Sequence, residues 1–293
     1  MFKTFQMELA GRPLIIETGK MAKQANGAVL VRYGDTVVLV ATTASKEPRE
    51  GTDFFPLTVD YEEKMYAVGK MPGGFLRREG RPGNSAILNA RLIDRPIRPL
   101  FDKRCRNDVH VVATVLSVDY DNAPELCGML GASASIGISD IPWDGPIAGV
   151  RIGRVDGKYV VNPTQEQLAE SSMNITVAGS EEAIMMVEGG ANEAPEEEVL
   201  DAIMFGHETI KELCRFQKKI IEEVGKPKRT MVFPEVPEEI DEAVAAYATE
   251  DLKKAIFDAD KLRRDGNIDA VKKAAKEHFA DIYPENGADV AES

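Results

Sequence analysis

The run GAVLVRYGDTVVLVATTAS, residues 27–45, restricts what this chain can fold into more than any other. Two arms rich in Val and Thr flank Gly34-Asp35. β-Branched residues fit a pleated, half-buried surface, and Gly-Asp suits a tight turn, so the run predicts an antiparallel hairpin. FQMELAGRPLIIETG repeats the pattern around Gly11-Arg12, and Leu57 to Tyr61 adds another strand. DVHVVATVLSVD, residues 108–119, is dense enough in apolar residues for a buried strand. Short strands are also expected at Lys158–Val161, Met173–Ala178 and Ala183–Glu188.

Helices are expected between and after these strands. Asn84 or Ser85 caps a helix that Pro96 and Pro99 should end near Asp94, leaving Arg95 and Arg98 on a turn. PELCGMLGASASIGISD reads as a small-residue helix suited to close packing on a sheet. Its GASASIG could instead be an eroded phosphate-binding turn. Residues 195–225 open with Pro195 and acids, close with Gly225, and keep helical apolar spacing at Val199, Ile203, Ile210, Leu213, Phe216 and Ile220. This long amphipathic helix should cover the sheet. Three prolines then break the pattern, and an Ala-rich stretch follows that reads as a bundle of two or three helices with a frayed tail. The fold class is α+β, a mixed sheet with packed helices followed by a small all-α domain. The expected division is 1–224, a linker at 225–237, and 238–293.

A chain of 293 residues favours two domains over one. Cys105, Cys127 and Cys214 are odd in number and far apart, and His110, His207 and His278 are scattered. Neither set suggests a disulfide framework or a metal site. No apolar run reaches the ~20 residues of a membrane span and no signal peptide opens the chain, so the expectation is cytoplasmic with no membrane partner. The formal charge of −13 argues against wholesale attraction to nucleic acid. A local exception runs from Arg77 to Arg106, where nine basic residues face only Glu79, Asp94 and Asp102. It begins in a loop, residues 71–83, with four glycines and two prolines, which carries GGFLRREGRP.

GGFLRREGRPGNSAILNARLIDRPIRPLF, together with DFFPLTVDYEEKMYAVGKMPGG and SDIPWDGPIAGVRIG, resembles the first RNase PH-like domain of bacterial polynucleotide phosphorylases. The resemblance covers nearly the whole chain, including the helical segment that joins the two RNase PH-like copies of that family. It implies a phosphorolytic 3′-to-5′ exoribonuclease of mRNA degradation that uses inorganic phosphate and magnesium and assembles as a ring-shaped homotrimer. It further implies that the loop carrying Phe75, Leu76, Arg77 and Arg78 lines a constriction and grips single-stranded RNA. The chemistry agrees: an aromatic ring stacks on any base, and arginine pairs with phosphate or stacks. Many members have a second aromatic where this chain has Leu76. Arg81 belongs to the same loop. Arg91, Arg95 and Arg98 either reach RNA or phosphate, or pair with Asp94 and with acids across a subunit boundary.

The same resemblance places the catalytic groups in the second copy. Tyr33 stands before Gly34-Asp35-Thr36 where active copies carry an arginine. Ser172 and Asn174 stand where carboxylates would hold magnesium; a hydroxyl and an amide are poor magnesium ligands, and Glu166 alone is thin support. No catalytic residue and no bound metal is therefore expected in this chain. Two alternatives differ in class. One is a self-standing, catalytically dead ring subunit that threads RNA. The other is a small-molecule enzyme on a related fold, for which LGASASIG lacks the Gly-Lys-Ser/Thr ending of a P-loop.

Overall fold

The computed structural model describes the chain except Glu50, Asp53, Val232, Pro234, Glu235, Glu285 and Ser293. The chain divides into two compact units, Met1–Val232 and Phe233–Ser293.

The first unit is built on two sheets. Strands β1 (Lys3–Leu9), β2 (Arg12–Thr18), β3 (Gly27–Tyr33), β4 (Thr36–Pro48), β5 (Leu57–Glu63) and β6 (Asn107–Ser117) form a six-stranded sheet in the order β1-β2-β3-β4-β6-β5. The hairpin read at Gly34-Asp35 is β3–β4, with Tyr33 opposite Thr36. Only β5 runs parallel to its neighbour, with Leu57 opposite Val109. Strands β7 (Ala148–Val155), β8 (Lys158–Val161), β9 (Met173–Gly179) and β10 (Ile184–Ala191) form an antiparallel sheet in the order β10-β9-β7-β8.

Helix α2 (Pro124–Ile138) joins the two sheets, and every residue from Leu126 to Ile138 is buried. Close packing explains its small residues: a Cβ on Gly131 would lie 2.5 Å from Val40 Cγ2 on β4. On the second sheet, Ser133 Oγ accepts the Ile147 N–H at 2.9 Å. GASASIG is thus the buried C-terminal half of a helix, and the phosphate-turn alternative is ruled out. Helix α4 (Glu196–Val224) covers the second sheet, burying Ile210, Leu213, Cys214 and Ile220. His207 is a core residue whose Nε2 meets Ser180 O at 3.0 Å. Burial pushes the thiols of Cys127 and Cys214 up to about 12, which leaves both as inert apolar filler.

Two local expectations are corrected and one helix is added. Helix α1 (Asn84–Ile97) does not stop at Asp94 but runs through Pro96 into a 3-10 turn, Arg98–Leu100. Proline removes one helical hydrogen bond. Burial of Ile93, Pro96 and Ile97, with the Arg98 N–H bonded to Asp94 O, outweighs that loss. A short helix, α3 (Gln165–Glu170), precedes β9 and is held by a capping box between Thr164 and Gln167. The tail is not frayed throughout: α7 (Gly287–Glu292) forms and buries Val290.

The second unit contains α5 (Glu238–Ile256), α6 (Lys261–Ala280) and α7 around a small cluster of Ile240, Val244, Phe279 and Val290. Of the expected linker 225–237, residues 232, 234 and 235 lie outside the described residues. Its first part is tied down: Lys228 Nζ donates to the carbonyls of Ile136, Gly137 and Ser139 at the end of α2. No helix among the described residues is long and apolar enough to cross a membrane.

Candidate nucleic-acid interface

Strand β5 leads into a 3-10 turn, Met65–Val68, closed by Gly69 in the left-handed region. The glycine-rich loop leaves from there and returns into α1 at Asn84. Both of its arms are tied to one residue. The Lys70 N–H donates to Met65 O at 2.9 Å, and the Met65 N–H donates to Glu79 Oε1 at 3.0 Å. Between these feet the chain projects outward. A turn closed by Arg77 N–H to Gly74 O at 3.0 Å forms the tip, with Arg77 at φ +50°. A left-handed arginine is uncommon and costs local strain, which fits a tip shaped for its side chains.

The tip carries Phe75 at 100% exposure and Leu76 at 72%. An aromatic left wholly in water gains nothing for folding and is available to stack on a ligand. The side chains of Arg77, Arg78 and Arg81 make no hydrogen bond or ion pair among the described residues. The structure therefore brings Phe75, Leu76, Arg77 and Arg78 together on one projection, with Arg81 on its descending arm.

The helical arginines meet different fates. Arg91 lines a groove of about 500 Å3 between β5 and α1, beside Pro82 at the foot of the loop. Arg95 pairs with Glu188 of β10 at 3.2 Å. Arg98 lies at the far end of α1, roughly 20 Å along the helix from Asn84. It donates to both Asp94 oxygens, at 2.9 and 2.7 Å, and to the carbonyls of Phe55 at 3.2 Å and Leu57 at 3.0 Å. Its guanidinium is tied to the start of β5 at the other end of the groove that Arg91 and Pro82 also line.

The turn after Tyr33 is filled with protein. The Tyr33 ring is 2% exposed, its hydroxyl donates to Leu9 O at 3.1 Å, and burial raises its pKa. Arg12 lies 4.7 Å above that ring and is oriented by bonds to Asp121 O, Asn122 Oδ1 and Asn162 O. Gly34 has φ +57°, and a Cβ there would sit 2.4 Å from Asn122 Nδ2. Asp119 organises the turn; the Asp121 N–H, then the Asn122 amide, hold its carboxyl below the usual range. On β9, Asn174 is exposed, and the Ser172 backbone is bonded to Arg154 and Asn192. Glu166 is exposed in the first turn of α3. Among the described residues no group of three or more His, Cys, Asp or Glu could hold a metal ion. The donors at this place do not fit magnesium, so no step is assigned to it here.

Sequence reasoning treated Glu79 only as an opposing charge and missed its bond to Met65. The available signal was its isolation, as the single acid among Arg77, Arg78 and Arg81.

The profile of the 3' exoribonuclease family, domain 1 matches residues 10–142, and that of domain 2 matches residues 145–209. The chain belongs to the 3' exoribonuclease family. The two profiles fall on the two sheets. The exoribonuclease-family chain is 57% identical over 288 residues to the polyribonucleotide nucleotidyltransferase of Heliobacterium modesticaldum, covering 98% of this chain and 41% of that protein. The enzyme of the same name from Syntrophomonas wolfei is 58% identical, covering 97% of this chain and 40% of that one. The one from Brevibacillus brevis is 55% identical over 99% of this chain. The chain thus spans about 40% of the length of these curated relatives and matches their N-terminal RNase PH part. Rice Rrp46 shares the fold, with a TM-score of 0.56 at 14% identity, over 75% of this chain and 94% of the rice chain.

Proposed function

We propose that this chain is the RNA-guiding part of a phosphorolytic 3′-to-5′ exoribonuclease that degrades mRNA in the cytoplasm and releases nucleoside diphosphates. In this reading residues 1–224 are the first RNase PH-like copy, 225–237 a linker and 238–293 a helical domain. The copies assemble as a homotrimeric ring, and phosphate and magnesium are used at a second RNase PH-like copy outside this chain. The observation that carries the reading is the tip: a fully exposed Phe75 beside two arginines unpaired among the described residues, on a loop both of whose arms are tethered. Stacking and phosphate contact together hold single-stranded RNA without regard to sequence, as stepwise degradation of any message requires. The filled turn at Tyr33 and the hydroxyl and amide at Ser172 and Asn174 support a guide over a catalyst.

Incubating the purified chain with poly(A), phosphate and magnesium tests the division of labour. No ADP should appear. Sustained ADP release would place catalysis in this chain and end the proposal.

A further inference from the structure

We propose that Glu79 is a positioning residue that holds the Phe75–Arg78 tip in its gripping geometry by stapling the descending arm of the loop to Met65. The inference rests on the reading of that loop as an RNA guide and adds what fixes its shape.

The two feet of the loop are built differently. The ascending foot is backbone to backbone, Lys70 N–H to Met65 O, and is reinforced by Gly69 in the left-handed region with its N–H on Tyr66 O. The descending foot depends on one side chain, the Glu79 carboxylate on the Met65 N–H. The 3-10 turn that begins at Met65 receives no side-chain cap from Lys64, the residue before it, so Glu79 supplies the cap from across the loop. That turn is fixed to the sheet, since the Val118 N–H, just past β6, donates to Ala67 O at 3.2 Å. Order therefore passes from the sheet, through Met65, into both arms of the tip. Lys64, bonded to Glu62 at 2.8 Å, places a cation near the Glu79 carboxylate.

Without the staple the free segment would extend from Lys70 to the start of α1 at Asn84, and the tip would sample many more orientations. RNA binding would then have to order it. The simplest competing account makes Glu79 an acid that repels phosphate, and the two accounts predict opposite signs. Simple repulsion requires every neutral substitution to tighten RNA binding. The staple requires Glu79→Gln, which keeps an acceptor oxygen, to behave unlike Glu79→Ala, which does not.

The test titrates a fluorescent single-stranded oligoadenylate against the protein and its variants. Glu79→Gln should bind as tightly as the parent or a few-fold tighter. Glu79→Ala should bind about fivefold more weakly, the cost of roughly one hydrogen bond, although it removes the same charge. Amide exchange at Met65, measured without RNA, should quicken in Glu79→Ala and stay slow in Glu79→Gln. Equal affinities for the two variants, or unchanged Met65 exchange in Glu79→Ala, would overturn the proposal. Arg77→Ala/Arg78→Ala separates the two layers. If that variant keeps full affinity, the guide reading fails and the RNA consequence of the staple fails with it, while the exchange rates still decide whether the staple exists.

Discussion

Arg77 and Arg98 belong to the same basic stretch and end in opposite circumstances. Arg98 meets the open edge where β5 begins, so its guanidinium is spent on Leu57 O and on Phe55 O, which also accepts the Leu57 N–H, and is neutralised by Asp94. Arg77 sits on a tip where its guanidinium has no carbonyl or carboxylate partner among the described residues, and its charge stays available. The pair teaches that the local density of arginine says little about ligand binding until the unsatisfied backbone acceptors nearby have been counted. Where a sheet edge is open, arginine is tied into the fold; where the chain turns back on itself in solvent, arginine is left available to a ligand.

The contrast can be attacked at both ends. The largest expected effect is on RNA. Arg77→Ala/Arg78→Ala should lose at least about tenfold in single-strand affinity and flatten the salt slope by about 1.4, two phosphate contacts' worth. The thermal midpoint should not move. Phe75→Ala should cost a further ~1–3 kcal/mol of binding, with a salt slope like the parent's because stacking carries no counterion term. Arg98→Ala should invert the pattern. Denaturant melts should show a loss of about 1 kcal/mol, from an unpaired, partly solvated Leu57 carbonyl and an uncompensated Asp94, with RNA affinity intact. A melt like the parent's would remove Arg98 from the fold-serving class.

Smaller effects sharpen the comparison further. Asp119 has its carboxyl held low in the folded state, so its contribution is fully present above the ordinary carboxylate value of ~4 and is lost as pH falls through the lowered folded value. Urea midpoints between pH 3 and 6 should therefore fall less steeply for Asp119→Asn than for the parent, and parallel curves would exclude Asp119 as the organiser of that turn. The smallest effect belongs to Arg95→Ala. Its exposed pair with Glu188 is worth under about 0.5 kcal/mol, so neither melt nor titration should shift.

Much of the fold is legible locally. The β3–β4 hairpin follows from β-branched arms around Gly34-Asp35, and α4 from its acidic start and helical spacing. The loop follows from its glycines and prolines. What stays hidden depends on partners distant in sequence. Pro96 reads as a stop because the bed on which α1 is buried comes from β5 and α2, distant in sequence. The α7 turn exists because Val290 meets Ile240, Val244 and Phe279. Pairing of β5 with β6 is parallel and spans the whole loop and α1, and no short window reveals it. For the interface, the residue types at 75–78 are readable, but which arginines are spent, and where Glu79 lands, is a matter of three-dimensional neighbours.

The shared helix α2 has a consequence for how the molecule comes into being. One face packs on β3 and β4, while Met129 meets the second sheet so closely that a Cβ on Gly149 would fall 2.4 Å from its sulfur. The stretch matched by the second family profile, residues 145–209, therefore borrows part of its interior from a helix encoded upstream. Synthesised alone, that stretch would leave an oily sheet face bare and clump. Within Met1–Val232 the two sheets should melt in one step, because neither has a private core to retreat to.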